Sequence, residues 1–415
     1  MKRNLTLCLS ATLLFGCLLS PLFRSQEASQ KTTSPPSKPV QEGLTHFEVF
    51  KSGREGYNNY RIPAVVVTRK GTLLAFCEAR RRDSDTGDID LILKRSSDGG
   101  RTWSKQIVIW DDGPNTCGNA CPVVDRTTGI VWLLLTHNQG QDGEREIAQK
   151  RSKGTRTVWV CKSEDDGVTW SKPMDITKTS KKSDWGWYAT GPGVGIQLQS
   201  GPQAGRLLIP CNHTVQPDEK NQSDRFEYGD HVIYSDDHGR SWELGGVVPA
   251  LKIDEPQVAE LDDGSIMMNM RSHFGKGLRA VSLSKDGGQS WGEIWHEKAL
   301  IEPDCQASFL RYTRRPRNRK NRLLFSNPAS NKKNDAGRVN MTVRLSYDEG
   351  KTWPVSKQIY SGPSAYSCLT VMPDMTLGCL YERGNKKLYE EITFARFSLE
   401  WLTDGTDPVG GPKQE

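Results

Sequence analysis

The sequence predicts an all-β fold, a six-bladed β-propeller, on three observations. Five segments share the pattern Ser-x-Asp-x-Gly-x-[Ser/Thr]-Trp, six hairpin-like stretches alternate with them, and 39 Gly, 22 Pro and 12 Trp against 8 Met favour turns and aromatic-rich strands over helix bundles. The five copies run from Ser96 to Trp103, Ser163 to Trp170, Ser235 to Trp242, Ser284 to Trp291 and Ser346 to Trp353. Each follows an alternating run, such as Leu91-Ile92-Leu93-Lys94 or His231-Val232-Ile233-Tyr234, so each is a turn between two strands. The Asp carboxylate can accept backbone N–H groups within the turn, and Gly supplies a positive φ. The Trp is then free to wedge between neighbouring sheets.

The hairpins span Arg61 to Glu78, Cys121 to Thr136, Gly193 to Pro210, Glu255 to Arg271, Gln306 to Asn327 and Ser367 to Glu382. Each has an apolar strand, a turn such as Asp262-Asp263-Gly264, and a second apolar strand. Adding the strands on either side of each box makes a radial array of four-stranded sheets between residues 46 and 403. The sixth sheet lacks a box after Ile392-Thr393-Phe394-Ala395-Arg396-Phe397. His46-Phe47-Glu48-Val49-Phe50 is therefore expected to supply its outer strand and close the ring.

Outside that body, Met1-Lys2-Arg3 followed by a mostly apolar stretch to Phe23 reads as a secretory signal peptide over residues 1–25. Leu14-Phe15-Gly16-Cys17 loosely resembles a lipoprotein signal ending before Cys17, and an uncleaved anchor is the other alternative. Residues 26–45, rich in Ser, Thr and Pro, read as a flexible linker, and 404–415 as a tail. The expected destination is secreted, periplasmic or cell-surface. Past residue 25 no run approaches the ~18 apolar residues of a membrane span. The net charge of +6 includes Lys2, Arg3 and Arg24, leaving too little to imply a nucleic-acid partner. The basic run Arg311 to Arg322 reads as the solvated turn of the fifth hairpin. Eight cysteines remain beyond the signal; Cys77, Cys161 and Cys379 lie in strand-like runs where free buried thiols are common, although an oxidising destination would allow disulfides. No CxxC pair and no HExxH spacing occurs, so no zinc site is expected.

Ahead of the first box stands Tyr60-Arg61-Ile62-Pro63. With the five boxes, this motif resembles the sialidase (neuraminidase) family, and the resemblance covers nearly all of His46 to Leu402. The boxes alone also occur in non-catalytic propellers; the combination with Arg61-Ile62-Pro63 is what marks the family. The resemblance implies an exo-α-sialidase, a glycoside hydrolase that removes terminal sialic acid from glycans, glycoproteins or gangliosides with retention, using no metal or other cofactor. Sialidases with a tyrosine nucleophile are an established exception to the two-carboxylate rule of glycosidases. It further implies a carboxylate clamp of Arg61, Arg271 and Arg338, with Arg344 the nearest competitor for the last. Asp85 matches the acid/base, with Asp83 and Asp88 as local rivals. Tyr366 matches the nucleophile, and Glu255 its partner, with Glu260 as rival. Glu382 resembles the glutamate that orients the first arginine, and Arg80 and Asn119 resemble peripheral substrate contacts. A trans-sialidase is the close alternative, and a non-catalytic glycan-binding propeller the distant one; retention of Tyr366, Glu255 and Asp85 argues against the latter.

Strand order supports this set independently. In an antiparallel blade the start of the first strand, the end of the second and the start of the third share one face. Arg61, Asn119, Glu255 and Tyr366 open first strands; Arg80, Arg271 and Glu382 close second strands; Asp85 and Arg338 lead into third strands. All nine should meet at one mouth of the channel, with the boxes on the opposite face. The chemistry is consistent: guanidinium forks bind carboxylates through paired N–H donors, and a neutral tyrosine nucleophile avoids repulsion by an anionic sugar.

Overall fold

The computed structural model describes residues 43–216 and 225–407; the expected signal peptide, Cys17, most of the linker and residues 408–415 lie outside them. Six four-stranded antiparallel blades form the ring. Blade 1 comprises Asn59–Val67, Leu73–Arg80, Ile89–Ser96 and Ile107–Trp110. Blade 2 comprises Thr116–Val124, Val131–Asn138, Thr157–Ser163 and Met174–Asp175. Blade 3 uses Leu207–Val215, Glu227–Ser235 and Glu243–Val247 behind an interrupted first strand. Blade 4 comprises Ile253–Glu260, Ile266–Ser272, Leu278–Ser284 and Trp295–Ile301. Ser308–Thr313, Arg322–Pro328 and Val339–Ser346 belong to blade 5, Leu377–Arg383 and Glu391–Phe397 to blade 6. One long strand, Val355–Val371, serves both: its first half pairs with Val339–Ser346 and its second with Leu377–Arg383.

The expected closure is present. Thr45–Lys51 pairs antiparallel with Glu391–Phe397, Thr45 opposite Arg396 and Lys51 opposite Glu391, so the outermost strand of the last blade comes from the other end of the body. Phe50 is fully buried and joins Phe76, Leu93 and Phe394 in a core shared by blades 1 and 6. Strands packed on both faces read as near-continuous apolar runs. Leu73–Arg80 is buried at every position, which explains why its signature in the sequence is a continuous apolar run from Leu73 to Cys77 rather than alternation. All eight cysteines in the described residues are buried and free, as expected for Cys77, Cys161 and Cys379.

Three expectations shift in detail. The third hairpin, read as starting at Gly193, begins earlier: Tyr188–Thr190 pairs with Leu207–Val215, breaks at Gly191 and Gly193, both at positive φ, and resumes as Ile196–Gln197. The basic run Arg311 to Arg322 is only partly a solvated turn, because Arg311 pairs with Glu349, Arg314 with Glu260 at 3.0 Å and Arg322 with Asp407 at 2.7 Å. Asp407 is itself buried, so the first residues assigned to the tail are docked on blade 5.

The boxes behave as one repeated device. In the first, Ser96 Oγ donates to Asp98 Oδ1 at 2.8 Å and accepts from the Gly100 N–H at 2.9 Å. Asp98 then accepts the Thr102 N–H at 3.0 Å and hydroxyl at 2.6 Å. Desolvation works against the Asp98 carboxylate, but these bonds outweigh it and bring its pKa down to about 2. The same Ser–Asp–Gly–Ser/Thr bonding recurs at Asp165, Asp237, Asp286 and Asp348.

Each box also touches the preceding blade. Trp103 meets Phe394, Trp170 meets Phe76 and Trp242 meets Trp132 at ring-centroid distances of 5.6–6.4 Å, and Trp291 Nε1 donates to the Gly246 carbonyl at 3.2 Å. Trp353 packs on Phe309 and Phe325 of its own blade, and the fifth box reaches blade 4 through Glu349, which accepts the Asp262 N–H at 3.0 Å. The boxes lie on the face of the hairpin turns: Asp166 accepts the hydroxyls of Thr68 and Thr72.

The box glycines face the same neighbours. A Cβ at Gly239 (φ +87°) would lie 2.2 Å from the Trp132 ring. Gly239→Ala should cost about 2–4 kcal/mol in urea unfolding, the sum of a left-handed Ala and a displaced Trp132. Gly201→Ala, at φ +75° with open space around it, isolates the backbone part and should cost only about 1 kcal/mol. Equal costs would show that contact between blades adds nothing.

Candidate active site

The mouth opposite the boxes holds a cavity of about 300 Å³. Eight of the nine expected residues line it: Arg61, Arg80, Asp85, Asn119, Glu255, Arg271, Arg338 and Tyr366. The ninth, Glu382, lies beneath, with no solvent exposure.

What delivers these side chains is a kink the sequence did not announce. Four first strands carry a β-bulge at the mouth, where pairing slips between Arg61 and Ala64, Gly118 and Cys121, Asp254 and Gln257, and Ser364 and Ser367. A bulge adds an unpaired residue and re-aims its side chain. The residues so placed are Arg61 with Ile62, Asn119, Glu255 and Tyr366. Ile62, Asn119 and Glu255 sit at φ +61°, +52° and +45°. A β-branched residue in that region is costly, on the order of 1–3 kcal/mol, and persists only where surroundings hold it. Here the Ile62 N–H donates to Glu382 Oε1 at 2.9 Å.

Glu382 is shared by the two halves of the site. The same Oε1 accepts Arg61 Nε at 2.7 Å, and Oε2 accepts the Tyr366 N–H at 3.0 Å. The Arg61 guanidinium then lies 3.7 Å over the Tyr389 ring, and no described residue hydrogen-bonds its two Nη groups. Tyr389 also receives Arg338 Nη1 on its hydroxyl at 2.9 Å, and Arg338 Nη2 donates to the Asp304 carbonyl at 3.2 Å. Arg271 donates from Nη1 to Glu255 Oε2 at 2.9 Å and from Nε to Asp304 Oδ1 at 2.7 Å. The Tyr366 hydroxyl donates to Glu255 Oε1. Burial and then Glu255 push the Tyr366 phenol well above its ordinary pKa, against the pull of Arg271 and Arg338, so it is protonated in the free site.

Asp85 sits on the rim with its side chain 66% exposed, and accepts Arg80 Nη1 at 2.7 Å. Arg80 is buried and is held from its other edge by Glu78 Oε2, at 2.9 Å from Nε and 2.6 Å from Nη2. Partial desolvation opposes ionisation of Asp85, but Arg80 and then Arg61 outweigh it and hold the carboxyl below the usual range. Asn119 is fixed by Thr136 at 3.1 Å and Arg156 at 2.5 Å on its Oδ1.

The rivals lie elsewhere. Asp83 accepts Asn59 at 3.1 Å, Asp88 faces Arg81 at 3.7 Å, and Arg344 bonds Asn327 at 3.0 Å inside blade 5. Glu260 bonds the Gln199 N–H and Arg314 and lines the far end of the channel. The sequence reading missed Tyr389, Asp304, Glu78, Arg156 and His273. Tyr389 occupies the connection between second and third strands of blade 6, the place Asp85 takes in blade 1, and that topological equivalence is the one signal that could have found it. Among the described residues no group of His, Cys, Asp and Glu could hold a metal ion.

The mouth of the propeller thus gathers an arginine cluster, a tyrosine–glutamate pair and a rim aspartate, and comparison with known proteins shows the family to which this propeller belongs. Residues 71–379 match the BNR repeat-like domain. The chain is 36% identical over 402 residues to a sialidase of Micromonospora viridifaciens, covering 94% of this chain but 59% of that protein, so it spans less than two thirds of that relative. It is 31% identical to an exo-alpha-sialidase of Arthroderma benhamiae, covering 92% of this chain and 96% of that one. Among solved structures a Hadza microbial sialidase matches with a TM-score of 0.74 at 31% identity, over 86% of this chain and 69% of the other. The chain belongs to the sialidase family.

The Asp85–Arg80 pair gives a direct check. Replacing Arg80 with Met removes the strongest cation acting on Asp85, so its carboxyl pKa should rise in a carbon-13 NMR titration, with Asp85→Asn identifying the signal. An unmoved titration would show that Arg80 does not set it.

Proposed function

We propose that this protein is an exo-α-sialidase acting by a two-step, retaining mechanism with Tyr366 as nucleophile. The observation that carries the reading is the Tyr366 hydroxyl bonded to Glu255 beside the guanidinium groups of Arg61, Arg271 and Arg338, with Asp85 on the rim of the same cavity. A terminal sialic acid carries its carboxylate on the anomeric carbon. The Nη groups of Arg61 and its two partner arginines suit that carboxylate, and they fix the carbon above the phenol.

The proton sequence follows from the contacts. Glu255 accepts the phenolic proton as the Tyr366 oxygen bonds to the anomeric carbon, and the bond to the leaving oxygen breaks as Asp85 protonates it. Asp85 then takes a proton from water, which attacks the anomeric carbon from the vacated face; the aryl glycosidic bond breaks, and the phenolate recovers its proton from Glu255. A carboxylate in place of Tyr366 would meet the substrate's own anion, which accounts for a neutral nucleophile. Asp85 must be protonated for the first step although its pKa is depressed in the free site. The incoming carboxylate supplies negative charge beside Arg61, and the glycan covers the exposed rim; both raise the Asp85 pKa toward that of an acid.

Proton NMR of a fresh reaction with a simple α-sialoside tests the reading. The α-anomer of free sialic acid should appear first, and Tyr366→Phe should abolish trapping by a fluorinated sialic acid. First release of the β-anomer, or a trapped adduct in the phenylalanine variant, overturns it; transfer to added lactose in preference to water would instead mark a trans-sialidase.

The clamp has its own test. Arg271→Lys keeps the charge but loses the fork that joins Glu255 and Asp304, and kcat/KM should fall by an amount on the order of 2–4 kcal/mol in transition-state stabilisation. Wild-type kcat/KM would remove Arg271 from the clamp.

A further inference from the structure

Three carboxylates surround the one guanidinium of Arg271. Besides Glu255 at 2.9 Å and Asp304 at 2.7 Å, Asp254 Oδ1 lies 3.7 Å from Nε. An anionic ligand brought to Arg271 is a fourth negative charge, and the cluster as drawn would repel it. The offsetting charge is supplied from the adjoining loop. His273 follows the second strand of blade 4 and places its ring between the two aspartates, with Nε2 3.0 Å from Asp254 Oδ2 and Nδ1 3.3 Å from Asp304 Oδ1. Each ring nitrogen lies within ion-pair distance of a carboxylate, although Nε2 makes no aligned hydrogen bond. A neutral imidazole has one N–H, so its other nitrogen would turn a lone pair toward an anion; the imidazolium alone suits both neighbours.

We propose that His273 is a positioning residue of the carboxylate clamp: held as an imidazolium between Asp254 and Asp304, it offsets their charge and keeps Arg271 directed at an incoming anion. The other groups around the ring agree. Tyr228 from blade 3 stacks on it at 5.2 Å and 28°, with its hydroxyl donated to Glu144 at 2.7 Å. Asp230, on the same strand as Tyr228, is fully buried without a hydrogen-bond partner, and burial followed by the Asp254 charge pushes its carboxyl well above the usual range. It therefore adds little negative charge of its own. Burial and Arg271 work against a charged His273, but Asp254 and then Asp304 outweigh them and bring it up to about 10. The same Asp304 Oδ1 lies 2.7 Å from Arg271 Nε and 3.3 Å from His273 Nδ1, so the two cations share one oxygen.

The identity of the anion rests on the sialidase reading; the charge on His273 does not. The first arm is therefore independent of activity. In protein labelled with nitrogen-15 histidine at about pH 7, both ring nitrogens of His273, assigned by their loss in His273→Asn, should carry protons. A neutral tautomer there overturns the proposal.

The second arm uses a fluorogenic sialoside. His273→Asn should raise KM on the order of tenfold with kcat changed by less than about threefold, because it weakens binding of the anion rather than the chemistry. Adding Asp254→Asn should recover most of that loss, since it removes the charge His273 offset. A purely structural role predicts no recovery, and either an unchanged KM or a loss that the second substitution does not repair overturns the proposal. His273→Gln provides the same reading if the asparagine variant folds poorly. A wild-type protein that cleaves no sialoside would refute the sialidase reading while the NMR arm still decides the charge on His273.

Discussion

A single carboxylate with no access to solvent organises this molecule. Burying an ionised glutamate is tolerable only when its oxygens are fully engaged, and the loss of one partner leaves a costly charge behind. Glu382 meets that condition with three donors drawn from two blades: the Arg61 side chain and Ile62 N–H of blade 1, and the Tyr366 N–H of blade 6. The junction between first and last blades, the left-handed turn at Ile62, the direction of Arg61 and the height of Tyr366 are thereby set together. Neither the arginine nor the tyrosine can shift without disturbing the satisfaction of the same buried group.

The two faces of the ring divide the work between them. On one face the boxes use short, local bonding, with side chain and backbone within a few residues of each other, and each leaves a Gly and a Trp to fill the space beside the neighbouring blade. On the other face several decisive contacts join different blades. Tyr366 bonds Glu255 from blade 4, Arg271 bonds Asp304 on the way to blade 5, and the Arg61 guanidinium lies over the ring of Tyr389 in blade 6. The box face needs little from distant sequence, so it can hold the blades in register while bulges on the other face carry strained residues such as Ile62 and Glu255.

That division explains what was legible in the sequence. The boxes are a local code, so the fold could be read from Ser, Asp, Gly and Trp at fixed spacing, the number of blades from the six hairpins between them, and the closing strand from the one sheet that lacks a box. The main site residues could be placed because a resemblance supplied their motifs and strand order put them at one mouth. Tyr389, Asp304 and His273 carried no motif: their functions arise from what the fold brings beside them, and a loop tyrosine or a histidine after a strand has no local mark. The bulges were equally silent, since Ile62, Asn119 and Glu255 share no residue type. The third hairpin was misplaced at its start because Gly191 and Gly193 look like a turn before a strand when they interrupt one.

The closing strand has a consequence for how the chain reaches this state. Thr45–Lys51 is among the first parts of the body to be synthesised, yet its partner Glu391–Phe397 is among the last. The ring therefore depends on a pairing of nearly maximal sequence separation, the kind that makes β-proteins slow to fold. Until that pairing forms, one early strand and one late sheet edge both present unsatisfied backbone groups, and both are open to the wrong partner. The final blade is where the route to the native state is most exposed, and the native ring hides that hazard by uniting the two ends of its body in one sheet.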